Sequence, residues 1–221
     1  MTGGCGHYAG AVAGSGTRSS AGSTFGSPLQ KIAMGLLIVF LTAAFPAHPS
    51  PSWQHYDALP DPIGWAFVYA GTVALTRAEP AFASTRWLAA VAGVVSVPVW
   101  LPQLTHRLDA SGQWFTSLPQ IVFCLWLARE LGIQGAGQQP RDVYVSKRFG
   151  LLVYGFAVVA LLPVLAFGGG MDQLVSTTVL VSTVVDLALV YFLFRVHRRT
   201  WLGGPGPLEI HPRGPGAAAA G

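Results

Sequence analysis

The sequence predicts an all-α, polytopic membrane helix bundle of about six transmembrane helices, with both termini cytoplasmic. Three observations predict it: a scarcity of charge, a series of apolar stretches of bilayer length, and a one-sided distribution of Lys and Arg. Of the 221 residues, 52% are hydrophobic and only 10% are charged, against about 25% charged in a soluble domain. Mean hydropathy is +0.49. A water-soluble enzyme, a nucleic-acid-binding domain and a disordered chain all fit these figures poorly, so the partner the composition implies is a lipid bilayer and not nucleic acid.

The apolar stretches cover residues 31–47, 61–77, 86–104, 114–131, 149–168 and 173–194, each near the roughly 17–25 residues a membrane helix needs. The fifth has no charge from Leu151 to Phe167, and the sixth has one, Asp186. The fourth is the least regular, with Ser117, Pro119 and Gln120 in its first half. The first, with Lys31 ahead of Ile32 to Phe45, shares features with a secretory signal. Pro46 and Pro49 around Ala47 spoil a cleavage site, which favours an uncleaved helix. Residues 1–30 and 202–221 are Gly-, Ser-, Pro- and Ala-rich and read as disordered tails around a bundle spanning 31–201. The composition of the first tail also admits a start near Met34.

Orientation follows from the basic residues. With the N-terminus inside, the cytoplasmic segments hold Arg18, Lys31, Arg77, Arg86, Arg129, Arg141, Lys147, Arg148, Arg195, Arg198, Arg199 and Arg213. Only Arg107 then lies outside. Most tryptophans, including Trp65, Trp100, Trp114 and Trp201, fall near predicted span ends, where indole rings prefer to sit. The expected location is the cell (inner) membrane.

Asp186 is the leading functional residue. An ionised carboxylate so near the bilayer centre costs about 2.5–3.5 kcal/mol on insertion scales, so it must be protonated, paired or hydrated. Thr178, Ser182 and Asp186 recur every fourth residue and so line one helix face. That stripe suits a proton or cation relay; it equally suits a neutral hydrogen bond tying two helices together. Arg129, at the cytoplasmic edge, is too distant in depth to pair with Asp186 readily.

Two Leu-Pro-Gln triplets, Leu101-Pro102-Gln103 and Leu118-Pro119-Gln120, flank the second outer turn, near Ser111 and Gly112. Each proline deprives a carbonyl one turn earlier of its donor, and Gln103 and Gln120 are expected to satisfy those carbonyls. The Pro-Gln pairs resemble those of PQ-loop transporters, but here they stand on adjacent helices rather than in separate repeats. His48, His55, Asp57 and Asp61 cluster in one loop without a zinc spacing. Cys5 and Cys124 read as unpaired thiols. The sequence offers no cofactor, metal or catalytic set, which counts against an enzyme.

The run Leu59-Pro60-Asp61-Pro62-Ile63-Gly64-Trp65 resembles a segment of small, multi-pass, uncharacterised bacterial membrane proteins of actinobacterial type. In them a Leu-Pro-Asp-x-x-Gly-aromatic run opens a helix, and the resemblance implies no activity. Physically, Asp61 suits an N-cap, Pro62 the first helical position, and Gly64 a close helix neighbour, with Ala66 and Ala70 extending the small face. The expected function is that of a small accessory or scaffold membrane protein acting through helix–helix contacts, with a membrane-protein partner or as a homo-oligomer. The alternative is a small-solute or proton-coupled transporter using Thr178, Ser182 and Asp186, and the third reading a lipid-facing enzyme.

Overall fold

Polar caps fix where the helices start. Ser27 accepts a hydrogen bond from the Gln30 N–H at 3.3 Å ahead of α1 (Pro28–Phe40), whose proline occupies the first turn. The α4 start is set by Asp109, whose Oδ1 accepts from the Gly112 N–H at 2.8 Å while the Ser111 hydroxyl donates to Oδ2 at 2.7 Å. These bonds hold the Asp109 carboxyl below the usual carboxylate range, the Ser111 hydroxyl foremost. Before α5, Asp142 Oδ1 accepts from the Val145 N–H at 3.2 Å. The remaining helices are α2 (Asp61–Ala78), α3 (Ala83–Trp100) and α6 (Gln173–Val196), with α4 at Ala110–Gly137 and α5 at Val143–Gly168.

The computed structural model describes residues 26–41, 44–45, 56–57, 59–101, 104, 107–171 and 173–206. Among them are six α-helices, and each packs against its predecessor while α6 returns to α1, closing a ring. A two-residue antiparallel ladder pairs β1 (Ala44–Phe45) with β2 (Tyr56–Asp57) between α1 and α2. Trp65 of α2 meets Phe123 of α4 edge-on across the ring, centroids 5.3 Å apart.

Three helical stretches, Pro80–Trp100, Val143–Ala166 and Leu174–Val196, are long and apolar enough to cross a membrane. The bundle's outside agrees: Val94 is 72% exposed, Leu180 66% and Leu161 62%. Large apolar side chains turned outward in this way are what helices able to cross a membrane would present to lipid.

The tightest seam is between α1 and α2. A Cβ placed on Gly64 would stand 2.8 Å from the Gly35 carbonyl oxygen and 2.7 Å from Val39 Cγ2. One placed on Gly71 would stand 2.6 Å from Ile32 Cγ1. Only residues without a Cβ let the two backbones approach this closely. Gly64, Val68, Gly71 and Leu75 therefore face α1, and all four are buried.

Several sequence expectations are corrected here. Asp61 is not the cap of α2: Pro60 holds that position, and Asp61 and Pro62 are the first two helical residues. Ala66 and Ala70 are exposed and do not continue the Gly64 face. At about 100° per residue they lie well around the helix from it, whereas Gly71, seven residues on, returns to it. The first stretch, 31–47, is not one continuous helix. It starts earlier, at Pro28, and Leu41 is already extended. A helix running through 45 would also conflict with the sequence, since a residue ahead of a proline is pushed out of helical geometry. Leu29, Ile32 and Ala33 of this helix are fully buried. At the other end, Thr200–Leu202 forms a 3-10 turn with Leu202 fully buried, so the packed chain runs past 202 to Gly206. Helix α4 extends four residues ahead of 114, out to its Asp109 cap, and six beyond 131, and α5 begins six residues ahead of 149, at its Asp142 cap.

Candidate functional site

Three helices bring polar side chains together at the end of the bundle where α2 begins. Asp61 and Trp65 from α2, Ser96 from α3, and Gln113, Ser117 and Gln120 from α4 line a cavity of about 240 Å³. Asp61 is the only ionisable group among the described residues of this lining. The serines spend their hydrogens on their own helices: Ser96 donates to the Gly93 carbonyl at 2.8 Å and Ser117 to the Trp114 carbonyl at 2.7 Å. What they leave toward other partners is oxygen lone pairs. A carboxylate, amide oxygens and hydroxyl oxygens make a donor set suited to a proton, a water or a small cation, and unsuited to an anion.

Gln113 and Ser117 also border a second cavity of about 310 Å³, whose far wall is Pro163 of α5 and Thr178 of α6. Trp114 of α4 lines it beside them, and its Nε1 is buried with no hydrogen-bond partner among the described residues. The two cavities therefore share one wall of α4. From Thr178 the polar face continues one turn to Ser182, whose hydroxyl donates to Asp186 Oδ2 at 3.2 Å. Thr178 itself donates to the Leu174 carbonyl at 2.7 Å. Beyond Asp186 the polar face stops, because the next two turns of α6 bury Leu189 and Leu193 completely. Leu127, Leu131 and Phe149 are fully buried in the same core.

Thr178, Ser182 and Asp186 thus stand on one stripe, as their spacing implies. Asp61 and Gln120, read from the sequence as structural, share the first cavity. Gln120 makes no hydrogen bond among the described residues to the carbonyl that Pro119 leaves without a donor, and the α4 helix carries Pro119 unbroken. Gln103, Pro102, His48, His55 and Cys5 lie outside the described residues, and Gly64 belongs to the α1–α2 seam rather than to the cavity. Arg129 does not reach Asp186: it pairs with Glu130 at 2.6 Å and sits over the Trp126 ring at 5.0 Å. Cys124, buried on α4, lies within electrostatic reach of Asp186. Ser96 and Gln113 were not singled out by sequence, and Ser117 only as an irregularity of the fourth stretch. Their common signal, small polar residues interrupting apolar spans near prolines, is visible only once the helix rotations are known.

The fold and the site define an all-α bundle in which three helices are long and apolar enough to cross a membrane, with two cavities that share the Gln113 and Ser117 side of α4. No protein-family model, curated protein or solved structure matches the chain.

Proposed function

We propose that the chain is a six-pass carrier of the cell membrane, termini inside, that moves protons, alone or with a small cationic solute. The observation that carries this reading is the shared wall of Gln113 and Ser117. It joins an Asp61 cavity at one end to the Thr178–Ser182–Asp186 stripe at mid-depth. Ionisable residues inside a membrane are costly and mark proton or ion paths, and here polar side chains stand between two carboxylates, Asp61 and Asp186. Leu189 and Leu193 would close the path on the cytoplasmic side in this conformation.

The six-pass arrangement places the Asp61 cavity toward the outside and the cluster of Arg195, Arg198 and Arg199 toward the cytoplasm, in keeping with the count of basic residues. Helix α1, with 13 residues, covers about 20 Å, and the bilayer accommodates such a shortfall by local thinning at modest cost. In this reading the resemblance to actinobacterial-type membrane proteins gains a physical role. Asp61 and Trp65 of the Leu-Pro-Asp-x-x-Gly-aromatic run form the entrance, and its glycine sets the α1–α2 seam.

A second reading, an accessory protein docking a partner or a second copy, draws on exposed Ala66 and Ala70 beside exposed Ile63 and Phe67 on α2. Small outward residues one turn apart suit a helix neighbour.

The test is proton flux into vesicles reconstituted with the full chain, driven by a potassium diffusion potential and read with an internal pH dye. Wild-type vesicles are expected to acidify faster than empty ones, and Asp61→Asn to slow that rate severalfold by removing the entrance charge. Wild-type flux equal to that of empty vesicles overturns the carrier reading and leaves the accessory one.

A further inference from the structure

The opposite end of the bundle carries a third cavity, of about 550 Å³, that the carrier reading does not use. It lies where the first turn of α1, the last turns of α2 and the end of α6 converge. Lys31 enters it from α1, and His197 and Arg198 from the turn after α6. No Asp or Glu stands among its described lining residues.

The chain after α6 is folded so as to build this wall. Gly203 takes a left-handed φ of +72° and closes the Thr200–Leu202 turn through its N–H to the Thr200 carbonyl. A Cβ at Gly203 would come within 3.3 Å of Pro28 Cγ and 3.4 Å of Ala78 Cβ, so the segment is pressed against the starts and ends of α1 and α2. Leu202 anchors it, fully buried. Arg198 is held in place through its Nε, which donates to the Gly206 carbonyl at 2.8 Å. Its terminal guanidinium nitrogens remain for other acceptors. His197 Nδ1 donates to the Phe194 carbonyl.

The neighbouring arginine shows what a satisfied base looks like at this end. Arg199 Nε pairs with Asp142 Oδ2 at 3.1 Å. Among the described residues the ion pairs are that one and Arg129–Glu130, so neither Lys31 nor Arg198 is matched by a carboxylate. Two cations lining one cavity, with no carboxylate among its described lining residues, favour an anion with several acceptor oxygens, and guanidinium geometry suits a phosphate group. The cavity lies at helix ends, at the depth of the lipid headgroups, where basic pockets between membrane helices take anionic headgroups.

We propose that this cavity binds a phosphate group between Lys31 and Arg198, presented by the headgroup of an anionic phospholipid. The inference uses the membrane placement of the helices but not the transport reading, and it stands if proton flux is absent.

The experiment is native mass spectrometry of the full chain released from mixed micelles of phosphatidylglycerol and phosphatidylcholine, beside thermal unfolding in lipid-free detergent with added inorganic phosphate. Phosphatidylglycerol is expected to be retained in preference to phosphatidylcholine. Lys31→Gln is expected to weaken that retention about tenfold, the loss of one charge-assisted contact. Lys147→Gln, on an exposed side chain away from the cavity, is expected to leave it unchanged. Retention that inorganic phosphate does not displace assigns the lipid as the source. A phosphate-dependent rise in the unfolding temperature, lost in Lys31→Gln and without retained lipid, assigns the free anion to the same site. Equal retention of the two lipids together with no effect of phosphate overturns the proposal. Should Lys31→Gln fail to accumulate, the competition between the two lipids on the wild-type chain decides alone.

Discussion

Asp186→Asn is expected to reduce proton flux to the level of empty vesicles while leaving the protein at least as stable as the wild type. The substitution preserves shape and leaves an amide oxygen to accept the Ser182 hydroxyl, which donates at 3.2 Å in the native protein. It also removes a group whose ionised form costs about 2.5–3.5 kcal/mol near the bilayer centre, so folding gains rather than loses. An amide neither releases a proton nor balances a cation. A purely structural Asp186, acting as a neutral hydrogen-bond partner, would be replaced by Asn with little change in any property. Loss of flux with an unchanged unfolding transition is therefore an outcome the structural role does not produce, and retained flux contradicts the relay. Unfolding in detergent and vesicle acidification, measured on the same preparation, separate the two.

Gly64→Leu is expected to have the largest effect on folding. Even an alanine Cβ at this position would stand 2.8 Å from a backbone carbonyl oxygen, that of Gly35, and 2.7 Å from Val39 Cγ2. A backbone atom cannot swing aside as a flexible side chain does, so α1 would have to move off α2. Overpacking of this kind costs about 1–3 kcal/mol for small additions, which sets the scale for Gly64→Ala. The leucine variant adds three more carbons to the same space and is expected not to accumulate in the membrane. Gly150 on α5 is the matched control. A Cβ there meets nothing within 4 Å, so Gly150→Ala should be neutral or raise stability by about 0.5–1 kcal/mol through the chain entropy that glycine loses in a helix. Unfolding of Gly64→Ala indistinguishable from Gly150→Ala would mean that the α1–α2 seam is looser than these distances require.

The parts of the fold legible in the sequence are those that hydropathy and a charge pattern mark unaided. The stretches 61–77 and 173–194 correspond to α2 at Asp61–Ala78 and α6 at Gln173–Val196 almost residue for residue. Hydropathy finds the apolar part of a helix, however, and not its end. Helix α4 continues through polar turns to Gly137, and α5 begins at Val143 because Asp142 caps it. Both Asp109 and Asp142 are cap residues that the sequence pattern could have supplied, since a short acid ahead of an apolar run is a start signal. The stripe of Thr178, Ser182 and Asp186 was legible because it needs only one helix and its period. The Asp61 cavity was not, because it depends on how three helices are rotated against one another. The small-residue face illustrates the same limit. Gly64 was recognised as a close-packing residue, but Gly35, its partner across the seam, depends on which helix α2 meets and in what register.

The central claim, that a polar track opens to one side of the membrane and ends near Asp186, is tested most directly by the side-specific reactivity of single cysteines. In a background with Cys5→Ser and Cys124→Ala, cysteines replace Ser117, Thr178 or Leu189, and intact cells are exposed to a membrane-impermeant thiol reagent. The predicted result is ready labelling of Ser117→Cys from outside, slower labelling of Thr178→Cys, and none of Leu189→Cys. Labelling of Ser117→Cys no faster than that of Leu189→Cys, or labelling only after the cytoplasmic face is exposed, would contradict the track and its orientation.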